Sequence, residues 1–324
     1  MVPMNRILFS DHDYHDISLE RDLLARQGIE IVVANCRTED EVIRAAKGFR
    51  GILLQYAPIT ERVVAALPEL GIVSRIGAGF DTIDTAACAR HGVWVANSPD
   101  YGVGEVATHA LALALALVRN VVAWDRDVKA GTWHYTSAGP VKRASELTLG
   151  IVGLGRIGKR MAHVSRNLFK RVVAADPYLI DGDFPAFVER ATLAKLFEQA
   201  DIVSLHVPLN DETRGMIGAA LLRSMRPGSY LVNTARGAVV DVDAAVAALE
   251  QGTLAGLALD VLPQEPVPPE SPLVAHPRVI LTPHSAFYSV EAEIELRRKA
   301  AQNLATWFST GRPDYVVSAG TRRP

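Results

Sequence analysis

Three short segments in the second half of the chain carry residues able to move a proton and grip a carboxylate. They are N-T-A-R-G with Arg236, D-V-L-P-Q-E-P with Asp260 and Glu265, and T-P-H-S-A with His284. Reducing a 2-oxo acid needs a cation that clamps the carboxylate and polarises the carbonyl, and a proton donor for the alkoxide that develops. Arginine offers a planar bidentate fork for the first task. Histidine titrates near neutrality and suits the second, with a neighbouring carboxylate to orient the ring. Each residue has a plainer reading when taken alone: Arg236 solvating a loop, Glu265 capping a turn among prolines, His284 packed behind Pro283. Their joint position at predicted strand ends of one dinucleotide domain favours chemistry.

The dinucleotide signal is G-L-G-R-I-G, formed by Gly153, Leu154, Gly155, Arg156, Ile157 and Gly158. It follows the apolar run L-T-L-G-I-V and opens a helical stretch. The first glycine permits a tight turn, the second lets a pyrophosphate approach the backbone, and the third lets helix and strand pack closely. The helix N-terminus then favours the anion. The next strand, R-V-V-A-A-D, ends at Asp176, near the spacing at which a carboxylate hydrogen-bonds the adenosine ribose. A carboxylate there repels a 2′-phosphate, so NAD is expected over NADP, with Tyr178 and the loop behind it able to modify that preference.

The elements that must position these residues follow an alternating rhythm. Short β-rich runs (RILF, IEIVVA, GILL, GIVSRI, VWVAN) interleave with amphipathic stretches, which predicts βαβ units on a parallel sheet. A long Ala/Leu-rich stretch from Val103 reads as one continuous helix, because it lacks β-branched residues in its middle and exceeds strand length. A second set of units follows, and the last helix, V-E-A-E-I-E-L-R-R-K, is expected to return to the first domain. The fold class is therefore α/β with two doubly wound parallel-sheet domains. One is a flavodoxin-like substrate domain over 1–100 and 288–324, discontinuous in sequence; the other is a Rossmann NAD-binding domain over 101–287.

Composition narrows the classes. The chain has 324 residues, 49% hydrophobic and 22% charged, with a formal net charge of -2. That length suits two folded domains, and the balanced charge lacks the basic footprint of nucleic-acid binding. Two scattered cysteines, Cys36 and Cys88, make neither a disulfide framework nor a zinc site, which suits a reducing compartment. The N-terminal apolar run is too short for a secretory segment and no stretch reaches bilayer length, so a cytoplasmic protein without a membrane partner is expected. Asp11, His12, Asp13, His15 and Asp16 have metal-capable side chains but no ligand spacing; they read as a solvated loop, and no metal is expected.

With these motifs in place, the sequence resembles the D-isomer-specific 2-hydroxyacid dehydrogenase family along nearly its whole length. The matching segments are R-I-G-A-G-F-D-T-I-D at 75 to 84, L-G-I-V-G-L-G-R-I-G at 149 to 158, V-N-T-A-R-G at 232 to 237, A-L-D-V-L-P-Q-E-P at 258 to 266 and T-P-H at 282 to 284. The resemblance implies that Arg236 binds and polarises the substrate and that His284, paired with Glu265, is the acid/base. It implies that Asp260 holds the nicotinamide carboxamide, that Val207, Pro208 and Thr213 line the adenosine side, and that Thr234 and Ala235 approach the nicotinamide ribose. Gly77, Ala78 and Gly79 look like the family's substrate loop, with backbone N–H groups for a carboxylate and Arg75 close by. A homodimer built around the Ala/Leu-rich helix is also implied.

Two departures stand out. Thr108 replaces an acidic residue common in relatives, and S-A-F-Y-S after His284 replaces a glycine-rich version. The second resembles the branch containing the C-terminal-binding proteins and phosphoglycerate dehydrogenases, in which an aromatic residue at the position of Phe287 borders the substrate. The expected function is NAD-dependent interconversion of a small D-2-hydroxy acid and its 2-oxo acid. The alternative is an NAD(H)-sensing scaffold of the C-terminal-binding-protein type, with little turnover.

Overall fold

A computed structural model describes residues 5–324. The chain forms two compact units: the residues up to Tyr101 together with Ser289–Pro324, and Gly102–Tyr288. Among the described residues, no single helix is long and apolar enough to cross a membrane.

The first unit contains β1 (Asn5–Phe9), β2 (Ile29–Val33), β3 (Gly51–Leu54), β4 (Ile72–Arg75) and β5 (Trp94–Ala96), all parallel in the order β2-β1-β3-β4-β5. This is the flavodoxin-like order. All four residues of the G-I-L-L strand β3 are buried, as a strand covered on both faces requires. A short strand, Val316–Ser318, adds antiparallel to β5 at the edge; its three residues give too little alternation to be read in advance. Helix Glu39–Ala45 starts at a capping box, in which Thr38 accepts from the Glu41 N–H and Glu41 reaches back. The last helix, Val290–Thr310, lies in this unit and buries Leu296, Ala300, Leu304 and Trp307, spaced by three or four.

Asp11 departs from the solvated-loop expectation, since it is fully buried. Its carboxylate accepts from the Ser10 hydroxyl at 2.8 Å and the Tyr56 N–H at 2.6 Å, so it ties β1 to the loop after β3. A charged residue is tolerated in the interior because backbone donors satisfy it.

The second unit contains β6 (Thr148–Val152), β7 (Arg171–Ala175), β8 (Val188–Arg190), β9 (Ile202–Leu205), β10 (Ser229–Asn233), β11 (Leu254–Leu259) and β12 (Val279–Leu281). The order is β8-β7-β6-β9-β10-β11-β12, and each pair is parallel. That is the Rossmann order with a seventh strand, reversing direction between β6 and β9, where dinucleotides bind. Between β7 and β9 the chain forms strand β8 and then helix Leu193–Gln199; the strand could not be read in advance, because a lone V-E-R triplet carries almost no periodic signal. The Ala/Leu-rich stretch is also two helices rather than one, Val103–Val118 and Val121–Lys129, bent by 59°. Asn120 makes the break in the left-handed region, φ 51°, and its side-chain amide donates to the Ala138 carbonyl at 2.7 Å. Ala107, Ala110, Leu113, Ala114 and Leu117 face the core at helical spacing.

Candidate active site

The catalytic candidates of the second unit sit just beyond the carboxyl ends of β10, β11 and β12. Arg236 follows β10, its backbone held by Asn233, whose side-chain amide donates to the Arg236 carbonyl at 2.9 Å. The guanidinium donates to the Ala235 carbonyl at 2.8 Å. Gly237 explains how this loop meets the next. A Cβ there would lie 1.9 Å from the Leu262 carbonyl carbon, so the chain passes directly against the backbone after β11. Glu265 is on that second loop and accepts the Leu262 N–H at 2.8 Å through Oε1.

The other oxygen of Glu265, Oε2, lies 2.7 Å from Nδ1 of His284. Burial pushes the Glu265 carboxyl up, but the hydrogen bonds from His284 and Leu262, with the charges of His284 and Arg236, outweigh it. The net effect holds Glu265 below the usual carboxylate range. His284 adopts φ 52°, an uncommon conformation for a residue with a Cβ. Its N–H donates to the carbonyls of Asp260 at 2.8 Å and Thr282 at 3.0 Å, which fixes the turn that aims the ring at Glu265. The Phe287 ring stands edge-on to the imidazole, with centroids 6.4 Å apart.

Asp260 has a structural task in this turn. Its buried carboxylate accepts from the Thr282 hydroxyl at 2.5 Å, the Ser285 N–H at 2.9 Å and the Ala286 N–H at 3.0 Å, so it organises the segment on both sides of His284. His109, on the Val103–Val118 helix, joins this network 3.1 Å from the Thr282 hydroxyl. Sequence reasoning passed over His109, because no local spacing links a helix to a strand end about 170 residues later.

The glycine loop after β6 has the form a dinucleotide requires. Gly153 has φ 86°, and a Cβ on Gly158 would lie 2.0 Å from the Gly153 carbonyl oxygen, so helix Arg156–Ser165 can pack only against a bare Cα. Gly155 faces open space, where a pyrophosphate could approach. No acidic residue stands in the first turn of that helix, which suits an anion at its N-terminus. Leu154 and Ile157 turn their side chains to the core. Asp176, just past β7, accepts the Leu154 N–H at 2.9 Å and the Tyr178 N–H at 3.0 Å.

Further along the same sheet edge, Val207 packs beside Gly153. The Pro208 carbonyl accepts the Thr213 hydroxyl at 2.7 Å, and the Ala235 N–H donates to Asn233 at 3.0 Å. Two buried polar atoms, Thr234 Oγ1 and His206 Nδ1, lack a hydrogen-bond partner among the described residues. Buried polar groups are rarely left so, and polar groups of a dinucleotide lying along this edge fit the gap. Burial pushes the His206 imidazole down to about 4, and its Nε2 lies 2.9 Å from the Ser204 hydroxyl. His206 was not singled out in the sequence; its signal was its place immediately after the apolar run I-V-S-L.

In the first unit, Arg75 ends β4 and lies so close to Gly77 that a Cβ there would meet its Nη1 at 1.3 Å. The Gly77 carbonyl accepts the Ser98 N–H at 3.0 Å, and the Ala78 carbonyl accepts the Asn97 side-chain amide at 2.7 Å. Because the peptide is planar and trans, these bonds turn the N–H groups of Ala78 and Gly79 to the opposite side. Arg75 and Gly77 to Gly79 belong to the first unit; Phe287 and every other site residue read from the sequence belong to the second.

The second unit is thus that of a dinucleotide-dependent oxidoreductase, with a glycine cradle at the switch point and a paired histidine and carboxylate at neighbouring strand ends. Comparison with known proteins gives the family. Residues 111–286 match the D-isomer specific 2-hydroxyacid dehydrogenase, NAD binding domain. A glyoxylate reductase from Korarchaeum cryptofilum is 40% identical over 265 residues, covering 81% of this chain and 80% of that protein.

Solved structures that this chain resembles over nearly its full length include two relatives with bound ligands. D-lactate dehydrogenase from Aquifex aeolicus, complexed with NAD and lactic acid, superposes with a TM-score of 0.84 at 28% identity, covering 94% of this chain and 96% of that one. An NADPH-dependent glyoxylate/hydroxypyruvate reductase from Sinorhizobium meliloti, in complex with NADP and malonate, gives 0.85 at 29% identity, covering 99% of each chain. The chain belongs to the D-isomer-specific 2-hydroxyacid dehydrogenase family. It is an NAD-dependent oxidoreductase that interconverts 2-hydroxy and 2-oxo acids, and the scaffold alternative is not favoured.

Proposed function

We propose that this enzyme reduces a small 2-oxo acid of the glyoxylate or hydroxypyruvate type, with His284 as the acid/base, Glu265 as its partner and Arg236 as the substrate clamp. The 2.7 Å contact between His284 and Glu265, beside the charge of Arg236, carries this reading. Glu265 takes the proton-bearing Nδ1 as its hydrogen-bond partner, which leaves Nε2 to exchange a proton with the substrate oxygen. Arg236 neutralises the charge that gathers on that oxygen. Bound NADH supplies the hydride. The N–H groups of Ala78 and Gly79, with Arg75, receive a carboxylate, and Phe287 at the edge of the imidazole limits the substrate's side chain.

The cofactor would be held by Gly153 to Gly158 at its pyrophosphate and by Asp176 at its adenosine ribose. Val207, Pro208 and Thr213 would flank the adenosine, Thr234 and Ala235 the nicotinamide ribose, and Asp260 the carboxamide. The orphaned Thr234 hydroxyl supports that placement.

The protein is proposed to work in the cytoplasm as a homodimer, without nucleic-acid or membrane partners. Two unpaired buried cysteines and a near-neutral charge support the setting. Trp133, Tyr135, Val121, Val122 and Val128 are exposed on or just after the Val121–Lys129 helix, an apolar surface that a second copy would cover. NADH oxidation measured against glyoxylate, hydroxypyruvate, pyruvate and phenylpyruvate tests the substrate assignment. Preference for glyoxylate or hydroxypyruvate supports it, and preference for phenylpyruvate overturns it.

A further inference from the structure

The relatives that share this fold include one solved with NAD and one solved with NADP, so the choice between the two cofactors lies in local residues. Asp176 is one, by its position after the second strand of the Rossmann order. The loops after β7 and β9 flank the crevice at the switch point, and a side-chain bond joins them: the Tyr178 hydroxyl donates to the Glu212 carboxylate. The carboxylate of Asp176 and the backbone of Glu212 are both held in place. Asp176 is held by the Leu154 and Tyr178 N–H groups. Glu212 stands in a turn in which Asn210 Oδ1 accepts the N–H groups of Glu212 and Thr213, each at 3.0 Å, while the Asn210 N–H donates to the Thr213 hydroxyl at 2.9 Å.

We propose that Glu212, tethered by Tyr178, is a second cofactor-selectivity residue that acts with Asp176 to exclude a 2′-phosphate. The inference rests on the reading that Asp176 marks the adenosine ribose. Two carboxylates, carried on the loops after two different strands, meet at Tyr178 beside that ribose, Asp176 at its backbone N–H and Glu212 at its hydroxyl. A 2′-phosphate brings up to two negative charges into their field, whereas a 2′-hydroxyl brings none and can donate to Asp176. The same two carboxylates push the Tyr178 phenol upward, Glu212 more than Asp176, so the hydroxyl stays protonated and remains a donor. Glu212 needs no contact with NADH to discriminate, since it penalises the competitor.

Calorimetric titration with NADH and with NADPH, at low and high salt, tests this on the wild type and on Glu212→Gln, Tyr178→Phe and Asp176→Asn. Glu212→Gln should narrow the preference for NADH about tenfold, or about 1.4 kcal/mol, by tightening NADPH while NADH changes less than about threefold. Tyr178→Phe keeps the charge but frees it, and should narrow the preference by a smaller factor. Added salt should erode the wild-type preference more than that of Glu212→Gln. An unchanged preference in Glu212→Gln, with Asp176→Asn narrowing it, overturns the proposal and leaves the ribose assignment standing. Equal weakening of both cofactors in Glu212→Gln also overturns it, marking Glu212 as a brace. No narrowing in either carboxylate variant removes the ribose assignment and the proposal together.

Discussion

Oε2 of Glu265 and Nδ1 of His284 are 2.7 Å apart, while Oε1 of Glu265 takes the Leu262 N–H at 2.8 Å. The carboxylate is therefore gripped from both sides and held below the usual range. A group with a depressed folded value stabilises above its ordinary value, near 4.5, and loses that contribution as pH falls through the folded value. Urea unfolding of the wild type should show this acid-side loss, and Glu265→Gln should flatten it. Identical pH dependence in the two proteins would mean that the pair is not formed in solution.

His206 should contribute a second pH dependence, at higher pH. Its folded value is depressed from 6.5 to about 4, so the unfolded chain binds the proton more readily between those values. Stability is full above about 6.5 and falls as pH drops toward 4, by on the order of 3 kcal/mol if the shift is fully expressed. Replacing His206 by Gln should remove that slope. A slope that persists in the variant would assign it to other groups.

Gly237→Ala puts a methyl group into the backbone after β11. Relieving the 1.9 Å approach to Leu262 must displace one of the two loops that bring Arg236 and Glu265 together. We expect a stability loss of about 1–3 kcal/mol and a turnover loss of at least about tenfold, with NADH affinity changed far less. Wild-type turnover would show that the loop spacing does not matter to catalysis.

Much of this site was legible in the sequence because parallel sheets place ligands at strand ends, where N-T-A-R-G, D-V-L-P-Q-E-P and T-P-H-S-A all fall. The first fold elements were legible for the same reason: buried strands such as G-I-L-L are apolar on both faces. Asn120 hid its break because Ala and Leu favour helix on one side and a charged helix resumes on the other, while the bond to Ala138 is long-range. Strand β8 was too short to show a period. Asp11 read as solvated because its type says so; its backbone donors, Tyr56 among them, come from 45 residues away. Asp260 appeared in sequence only as a ligand residue, because its bonds to Thr282, Ser285 and Ala286 depend on the loop's folded path.

The exposed rings of Trp133 and Tyr135 give the assembly a simple test. Replacing both by Ser should shift sedimentation from two chains to one at micromolar concentration, with the secondary structure unchanged. Unaltered sedimentation as a dimer would place the interface elsewhere.

His284 is proposed to move the proton while the dinucleotide cradle works independently of it. The direct measurement is NADH oxidation by His284→Ala with the best 2-oxo acid, together with calorimetric NADH binding to the same protein. Turnover should fall by at least about a hundredfold, with NADH affinity within about threefold of wild type. Turnover comparable to wild type would remove His284 from the mechanism.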